Sequence, residues 1–182
     1  MYGVLNRQEQ RSGDDYQERL MLSFDEMFGR ERGSTLGMLH DYWLSKQAQA
    51  NGNLPLRDEF QPQNVLSSDA MSLVSWIDAT SLDPFNFILH DHTSSPVPGM
   101  GVEMSEKRVV EFPNVSHAKA YALEYHFCRA IRQPIYHEID QTIGGVERKY
   151  VRLLLPLADE SNSISRIYYA CRRLYDPTSL ND

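Results

Sequence analysis

The hydrophobic and polar residues of this chain follow different periods in different segments. In the first segments apolar residues recur every three or four positions, which is the spacing of an amphipathic helix. We expect a first helix whose apolar stripe consists of Tyr16, Leu20, Phe24, Met27 and Phe28. After a break at 29–33, Ser34 is a suitable N-cap for a second helix, which we expect to end near Asn51-Gly52.

Further along the chain, short segments alternate with a period of two, which is typical of strands. We expect two short strands at 71–78 and 85–91, with Phe85, Phe87 and Leu89 on one face of the second. A helical pattern follows at about 117–131, with Ser116 as its expected N-cap.

Three longer strands are predicted to close the chain, at 135–143, 146–157 and 164–172. The apolar face of the first of them carries Ile135, His137, Ile139, Gln141 and Ile143. In the next strand we expect Val151, Leu153, Leu155 and Leu157 to point inward. Gly144-Gly145 is a signal for a tight turn between the two strands.

This order of elements predicts an α+β fold, with a five-stranded antiparallel sheet, helices on one face and N-terminal helices before it. We divide the chain into an N-terminal helical extension at 1–33, a domain at 34–176 and a polar tail at 177–182. Such a sheet has room for a pocket between its inner face and the helices.

Three short segments occur in a characteristic order. They are Asp41-Tyr42-Trp43, the stretch LPLRDEFQP at 54–62, and Leu155-Pro156-Leu157 in a late strand. Together they resemble a bacterial, mainly alphaproteobacterial, PAS-like family over about residues 36–172. The chain departs from the family at Asp91-His92-Thr93, which keeps only the threonine of the usual Gly-Thr, and over the following residues to Glu103.

The resemblance implies a PAS-like sensory or regulatory domain, often dimeric, for which no ligand can be carried over. The chain lacks an obvious kinase, cyclase or DNA-binding segment, so we expect a stand-alone PAS domain protein that acts in signal transduction through a protein partner or its N-terminal helices. Its first-helix stripe favours a homodimer, while packing of that stripe within one chain and disorder of the segment are the alternatives.

His137 and Gln141 are polar residues on an otherwise apolar strand face. Buried polar groups need partners, which here would be other side chains, water or a ligand. The residues predicted to surround a ligand pocket are Ile135, His137, Ile139, Gln141, Phe85, Phe87, Tyr121, Tyr125, Leu153 and Tyr169.

Metal and cofactor signals are weak in this sequence. His90 and His92 share a strand face but have no third ligand at close spacing, so a solvated strand end is the preferred interpretation. By the resemblance, His117 or His126 lies on the helix that ligates iron in haem-binding PAS proteins, yet a surface histidine is the simpler interpretation. Cys128 lacks the surrounding motif of flavin-binding PAS proteins. The cofactor is therefore unknown, and haem and flavin are disfavoured.

Composition narrows the class of partner. The net charge of −7 argues against nucleic acid or an anionic membrane as the main partner. We expect a cytoplasmic protein, since the N-terminal segment lacks a secretory pattern and Cys128 and Cys171 look like free thiols. The sequence contains none of the common enzyme motifs, so we do not expect an enzyme. The alternatives are a small-molecule enzyme that uses His137, or a structural adaptor without a ligand.

Overall fold

A computed structural model of the chain describes residues 4–91 and 104–174. The strands of this part are β1 (Val4–Ser12), β2 (Asp15–Leu22), β3 (Val74–Asp78), β4 (Ile88–His90), β5 (Lys107–Arg108), β6 (Ile135–Ile143), β7 (Val146–Ala158) and β8 (Ile164–Arg173). The helices are α1 (Phe24–Glu31), α2 (Thr35–Gln49), α3 (Ser68–Met71) and α4 (Val115–Ile131), and short 3-10 turns lie at Pro62–Asn64, Pro84–Asn86 and Val109–Glu111.

All the described strands form one antiparallel sheet in the order β1-β2-β6-β7-β8-β3-β4-β5. The predicted α+β class and antiparallel sheet are therefore confirmed. The sheet has eight strands, however, not the five that we expected. The additional strands are the hairpin β1–β2 at one edge and the short β5 at the other.

The hairpin corrects the prediction of a helix from Tyr16 onward. Strand β2 pairs with β6 from Tyr16 opposite Thr142 to Met21 opposite His137. A spacing of four residues, as between Tyr16 and Leu20, suits one face of a helix and also one face of a strand. Pairing with β6 decides between the two, and the helix begins only after Ser23, whose hydroxyl caps it.

The second helix and the long helix were predicted correctly from local signals. Ser34 caps α2 by accepting a hydrogen bond from the Gly37 amide. The N-cap of α4 is Asn114 and not Ser116, because the Asn114 side chain accepts from the His117 amide. Both glycines of the 144–145 turn have positive φ, as the tight turn between β6 and β7 requires.

Helices cover both faces of the sheet, so the prediction of a single covered face is wrong. Helix α4 packs on the face that carries His137. Helices α1 and α2 pack on the opposite face, where the Trp43 indole donates to the Pro156 carbonyl (2.9 Å). Every residue of β7 from Tyr150 to Ala158 is buried, which is the pattern of a strand covered on both sides.

Residues 55–57 form an isolated parallel bridge to β7 where β6 ends. Strand β6 pairs with β7 only as far as Leu154. Beyond that point the Arg57 amide donates to the Ala158 carbonyl (2.8 Å) and the Ala158 amide donates to the Pro55 carbonyl (3.0 Å). Pro156 therefore lies where β7 changes partner, a position that tolerates the loss of an amide donor.

A buried carboxylate joins α1 to the sheet. Glu31 is fully buried and accepts hydrogen bonds from Tyr136 (2.9 Å), Ser34 (2.9 Å) and Arg172 (2.9 and 2.5 Å). Burial by itself raises the pKa of Glu31, and the hydrogen bonds led by Arg172 outweigh it, so that pKa is lowered. The carboxylate stays ionised and connects α1 with both β6 and β8.

Two helical glycines allow a matched test of the α1–α2 corner. A Cβ at Gly37 would clash with the backbone carbonyl of Glu31, whereas a Cβ at Gly29 would meet no atom within 4 Å. We expect Gly37→Ala to lower the free energy of unfolding by about 1–3 kcal/mol through overpacking. Gly29→Ala should be neutral or stabilising by up to ~1 kcal/mol, as alanine is the better helix former. Urea unfolding measures both, and equal effects would contradict the close approach at Gly37.

Candidate functional site

A row of polar side chains crosses the sheet on the face covered by α4. Antiparallel pairing places Gln17 of β2 opposite Gln141 of β6, and His137 of β6 opposite Arg152 of β7. Arg19 lies two residues after Gln17 and therefore on the same face. These five side chains are at least nine-tenths buried, so each of them needs a partner within the protein or from a ligand.

Helix α4 supplies one carboxylate to this row. Glu124 shares the buried face of α4 with Tyr121, Tyr125 and Cys128, and its side chain is wholly buried. Its Oε1 lies 2.7 Å from His137 Nδ1, and its Oε2 forms an ion pair with Arg152 Nη2. Arg19 Nε is 3.9 Å from the same Oε2, which is a looser contact.

Amide side chains continue the row towards the edge of the sheet. Arg19 Nη2 donates to Gln17 Oε1 (2.9 Å), and Gln17 Nε2 donates to Gln141 Oε1 (2.7 Å). The Tyr150 hydroxyl is a further, longer donor to that oxygen (3.4 Å). The chain of hydrogen bonds therefore reaches from Arg19 across β2 and β6 to β7.

The cluster formed by Gln17, Arg19, Glu124, His137, Gln141 and Arg152, here called the polar cluster, carries an unbalanced charge. Burial, and then the charge of Arg19, lowers the pKa of His137 to about 3, so its imidazole is neutral and donates from Nδ1 to Glu124. Burial also lowers the pKa of Arg19, but a guanidinium remains protonated in proteins. Two guanidinium groups thus face one carboxylate, and one positive charge is left over.

Several donors of the polar cluster have no hydrogen-bond partner. They are Arg19 Nε, Arg152 Nε and Nη1, and Gln141 Nε2. Unpaired buried donors cost free energy, and a cluster with spare donors and spare positive charge is suited to accept an anionic group.

Aromatic rings fill much of the space that was predicted to be a pocket. The Tyr121 ring lies over the Arg152 guanidinium (4.4 Å) and packs edge-on against Tyr125, which in turn contacts Tyr169. Burial raises the pKa of all three phenols, so they stay neutral. These side chains, with the buried Ile135, Ile139 and Phe87, form core between α4 and the sheet.

One of the predicted pocket residues, Leu153, does not share the sheet face that carries His137. Leu153 pairs with Tyr136, whose hydroxyl reaches Glu31 on the opposite face, so Leu153 points away from α4. Phe85 lies in the 3-10 turn at Pro84–Asn86 and is only partly buried. The expectation that Leu153 lines one cavity with His137 is therefore wrong, whereas a pocket role for Phe85 stays a prediction.

An open groove lies beside the polar cluster, between the β1–β2 hairpin and α4. Its volume is about 630 Å³. The residues around it are Gln8, Glu9, Gln10, Gln17, Arg19, Leu123, His126, Phe127 and Ala130. One wall is thus polar and belongs to the hairpin, and the other wall is largely apolar and belongs to α4. Gln17 and Arg19 belong both to the groove and to the polar cluster.

The structure describes most of the histidines and cysteines that were considered as metal or cofactor ligands. His90 Nδ1 lies 2.6 Å from Glu106 Oε1, and its ring stacks on Trp76. His92 is outside the described residues. Within residues 4–91 and 104–174 no group of three or more histidine, cysteine, aspartate or glutamate side chains could hold a metal ion. Burial raises the pKa of both Cys128 and Cys171, the latter to about 11.

His117 and His126 lie on different sides of α4. His117 is buried beside the rings of Phe112 and Tyr121. His126 is exposed at the rim of the groove.

The residues of the predicted dimerisation stripe are divided between two elements. Tyr16 and Leu20 lie on β2, whereas Phe24, Met27 and Phe28 lie on α1. Met27 is wholly buried within the single chain, and Phe28 is 42% exposed. Packing within one chain thus accounts for Met27, and dimerisation itself stays a prediction.

The sequence indicated two members of the polar cluster and missed the others. His137 and Gln141 were visible as polar residues on an apolar strand face. Arg152 had a comparable signal, since it stands alone among apolar residues in VRLLLPLA. Glu124 lies between Tyr121 and Tyr125 on the apolar stripe of a helix, which is a second signal of the same kind.

Comparisons with protein-family models, curated proteins and solved structures found no match for this chain. In the described ranges, no helix is both long and apolar enough to cross a membrane.

A double-mutant cycle tests the central ion pair. We expect Glu124→Gln to lower the free energy of unfolding by about 3–5 kcal/mol, because it leaves the buried Arg152 without its carboxylate. Arg152→Met should cost a similar amount, since it leaves Glu124 unpaired. The double variant should cost clearly less than the sum of the two single variants. Additive effects, within ~0.5 kcal/mol in urea unfolding, would show that the two side chains do not interact.

The buried histidine should make the protein sensitive to acid. His137 has a native pKa of about 3 against an ordinary value of 6.5, so below pH 6.5 the unfolded state takes up a proton that the native state does not. Stability should therefore fall with decreasing pH, by up to roughly 1.4 kcal/mol for each pH unit between about 6 and 3. His137→Asn should reduce this slope, and the exposed control His126→Asn should keep it. Equal slopes in both variants would exclude His137 as the cause.

Proposed function

We propose that this chain is a PAS-like sensory or regulatory module that binds a small ligand in the groove between the β1–β2 hairpin and α4. Occupancy of the groove would then change how the helices pack or how two copies associate. The observation that carries the proposal is the meeting of an open groove with a buried polar cluster that has spare donors. Buried polar side chains that serve only the structure usually find all their hydrogen-bond partners within the protein. Binding sites, in contrast, keep donors that bond to the ligand.

The dimensions and lining of the groove support a small molecule. Its volume of about 630 Å³ lies within the range of ~300–1,000 Å³ for small-molecule sites. Leu123 and Phe127 on α4 provide apolar surface, and Gln17 and Arg19 provide a small number of polar contacts. An apolar wall with few polar groups is the usual composition of such sites.

The order of elements and the contacts between the resembled segments support the PAS-like part of the proposal. Strands β3 and β4, helix α4 and the meander β6–β7–β8 follow one another as in the resemblance. The three resembled segments also meet in space. The Trp43 indole donates a hydrogen bond to the Pro156 carbonyl (2.9 Å). The Phe60 ring packs between the rings of Tyr42 and Tyr168, with centroid distances of 5.0 and 5.2 Å. A common structural role explains why such segments would occur together.

A route for the signal follows from the contacts of the groove. A ligand there touches the hairpin and α4 at once, and the hairpin leads through Ser23 directly into α1. Helix α1 is joined to β8 by the Glu31–Arg172 ion pair, and Phe28 near its end is exposed. Binding that favours one hairpin position would shift the population of α1 positions, and a partner or second copy could respond at that exposed surface.

The alternative of a small-molecule enzyme has one observation in its favour, the Glu124–His137 pair. A carboxylate that orients a histidine is part of many catalytic sites. His137 is nevertheless neutral and deeply buried, and the Cys171 thiol, which lies in the same row of the sheet beside Arg152, has its pKa raised to about 11. We therefore favour binding over catalysis.

Native mass spectrometry tests the proposal with a matched pair of variants. Leu123 lines the groove and is 61% exposed, whereas Leu82 is 91% exposed and lies outside the groove. We expect the purified protein to carry a releasable extra mass, which Leu123→Trp removes by filling the groove and Leu82→Trp retains. A bare protein, or an extra mass that survives in Leu123→Trp, would contradict binding in this groove and would favour the adaptor alternative.

A further inference from the structure

We infer that the ligand of the groove is a small monocarboxylate, with its carboxylate on Arg19 and its apolar body against Leu123 and Phe127. The inference rests on the proposed function, because it uses the same groove, and it adds the chemical class of the ligand. It starts from the charge of the polar cluster, which no residue of the cluster balances.

The buried charges set the charge of the ligand. Arg19 and Arg152 are cations, Glu124 is the one carboxylate that contacts them within the part of the chain that the structure describes, and His137 is neutral. Two positive charges and one negative charge leave a surplus of one, which a monoanion neutralises. A carboxylate carries one negative charge at neutral pH, whereas a phosphate monoester carries about 1.5 to 2.

Arg19 is the arginine that a ligand can reach. It lines the groove although its side chain is only 6% exposed, and its Nε, which is buried, has no hydrogen-bond partner. Its contact with Glu124 is loose at 3.9 Å, while one of its terminal nitrogens is fixed by Gln17. A guanidinium with an unpaired donor is suited to bind a planar carboxylate, the group that arginine recognises with paired hydrogen bonds.

The other charged groups near the groove are already paired. Glu9 at the rim accepts a hydrogen bond from Arg11 (2.9 Å). Arg148, further along the same sheet face, donates to the carbonyls of Ile143 (3.4 Å) and Val146 (3.2 Å). Arg19 is therefore the arginine among the residues that line the groove, and its guanidinium keeps one unpaired donor.

The apolar wall of the groove, on α4, determines the chemistry of the uncharged part of the ligand. Leu123, Phe127 and Ala130 lie about one turn apart on α4 and present apolar surface to the groove. Leu123 is 61% exposed, so a ligand that covers it gains hydrophobic stabilisation that an inorganic anion cannot provide. A carboxylate with a short alkyl or aryl body matches both walls.

Calorimetric titration of the full chain with hexanoate and with 1-hexanol tests this assignment. The two probes share an apolar body and differ in the charged group. We expect hexanoate to bind at least about 10-fold more tightly than 1-hexanol, as a charge-assisted hydrogen bond contributes to binding. Arg19→Gln should reduce hexanoate affinity to that of 1-hexanol. The control Arg108→Gln removes the same charge at β5, the far edge of the sheet, and should leave hexanoate affinity unchanged.

The other outcomes distinguish a wrong ligand class from a groove that binds no ligand. Equal affinity for the two probes, abolished by Leu123→Trp, would overturn the carboxylate assignment and leave the groove as a binding site. Tighter binding of inorganic phosphate than of hexanoate would overturn the monocarboxylate assignment. Binding of neither probe would also overturn the monocarboxylate assignment. The native mass spectrum of the purified protein, with or without a releasable extra mass, would then test ligand binding in the groove separately. The comparison of probes on the unchanged protein remains decisive even if Arg19→Gln fails to fold.

Discussion

Strand β7 is buried on both faces from Tyr150 to Ala158, and the layers of the protein are arranged around that constraint. Leu153, Leu155 and Leu157 point towards α1 and α2, while Arg152 and Leu154 point towards α4. A strand covered on both sides has no solvent-facing position in which to place a charge. The guanidinium of Arg152 therefore requires a carboxylate from the layer above it, and Glu124 on α4 provides it.

This ion pair is an inefficient way to stabilise a core. Apolar side chains of similar volume often stabilise a protein as well as a buried ion pair does. The cost is greater here because the polar cluster holds one more cation than anion and several unpaired donors. Ligand recognition gives a physical reason for such an arrangement, which stability alone does not.

The β1–β2 hairpin gives this cluster access to solvent. It extends the sheet by two strands beyond β6, past the edge of α4, and so leaves an uncovered strip of the sheet. Arg19 and Gln17 lie at the boundary, with one side in the buried row and the other at the groove. The same hairpin continues into α1, so the element that would sense the groove is connected directly to the helix that carries the exposed Phe28.

Only part of the candidate site could be predicted from the local pattern of polar and apolar residues. His137 and Gln141 were identified because a polar residue on an apolar strand face is visible in the sequence alone. Their partners were not identified, because Arg19 and Glu124 are distant in sequence from β6 and come together only through strand pairing and helix packing. Leu153 was assigned to the wrong face, since the pattern of one strand does not say which layer each of its faces meets.

By itself the sequence determined the α+β class, helices α2 and α4, and the three-stranded meander, because capping residues, tight-turn glycines and long runs of one period act locally. Only the tertiary structure decided that residues 4–22 form a hairpin and that helices cover both faces of the sheet. A spacing of four residues fits a helix and a strand equally well, so pairing with β6 had to choose between them. The surplus charge beside the groove is likewise a property of the assembled layers, because it depends on which side chains share one buried space.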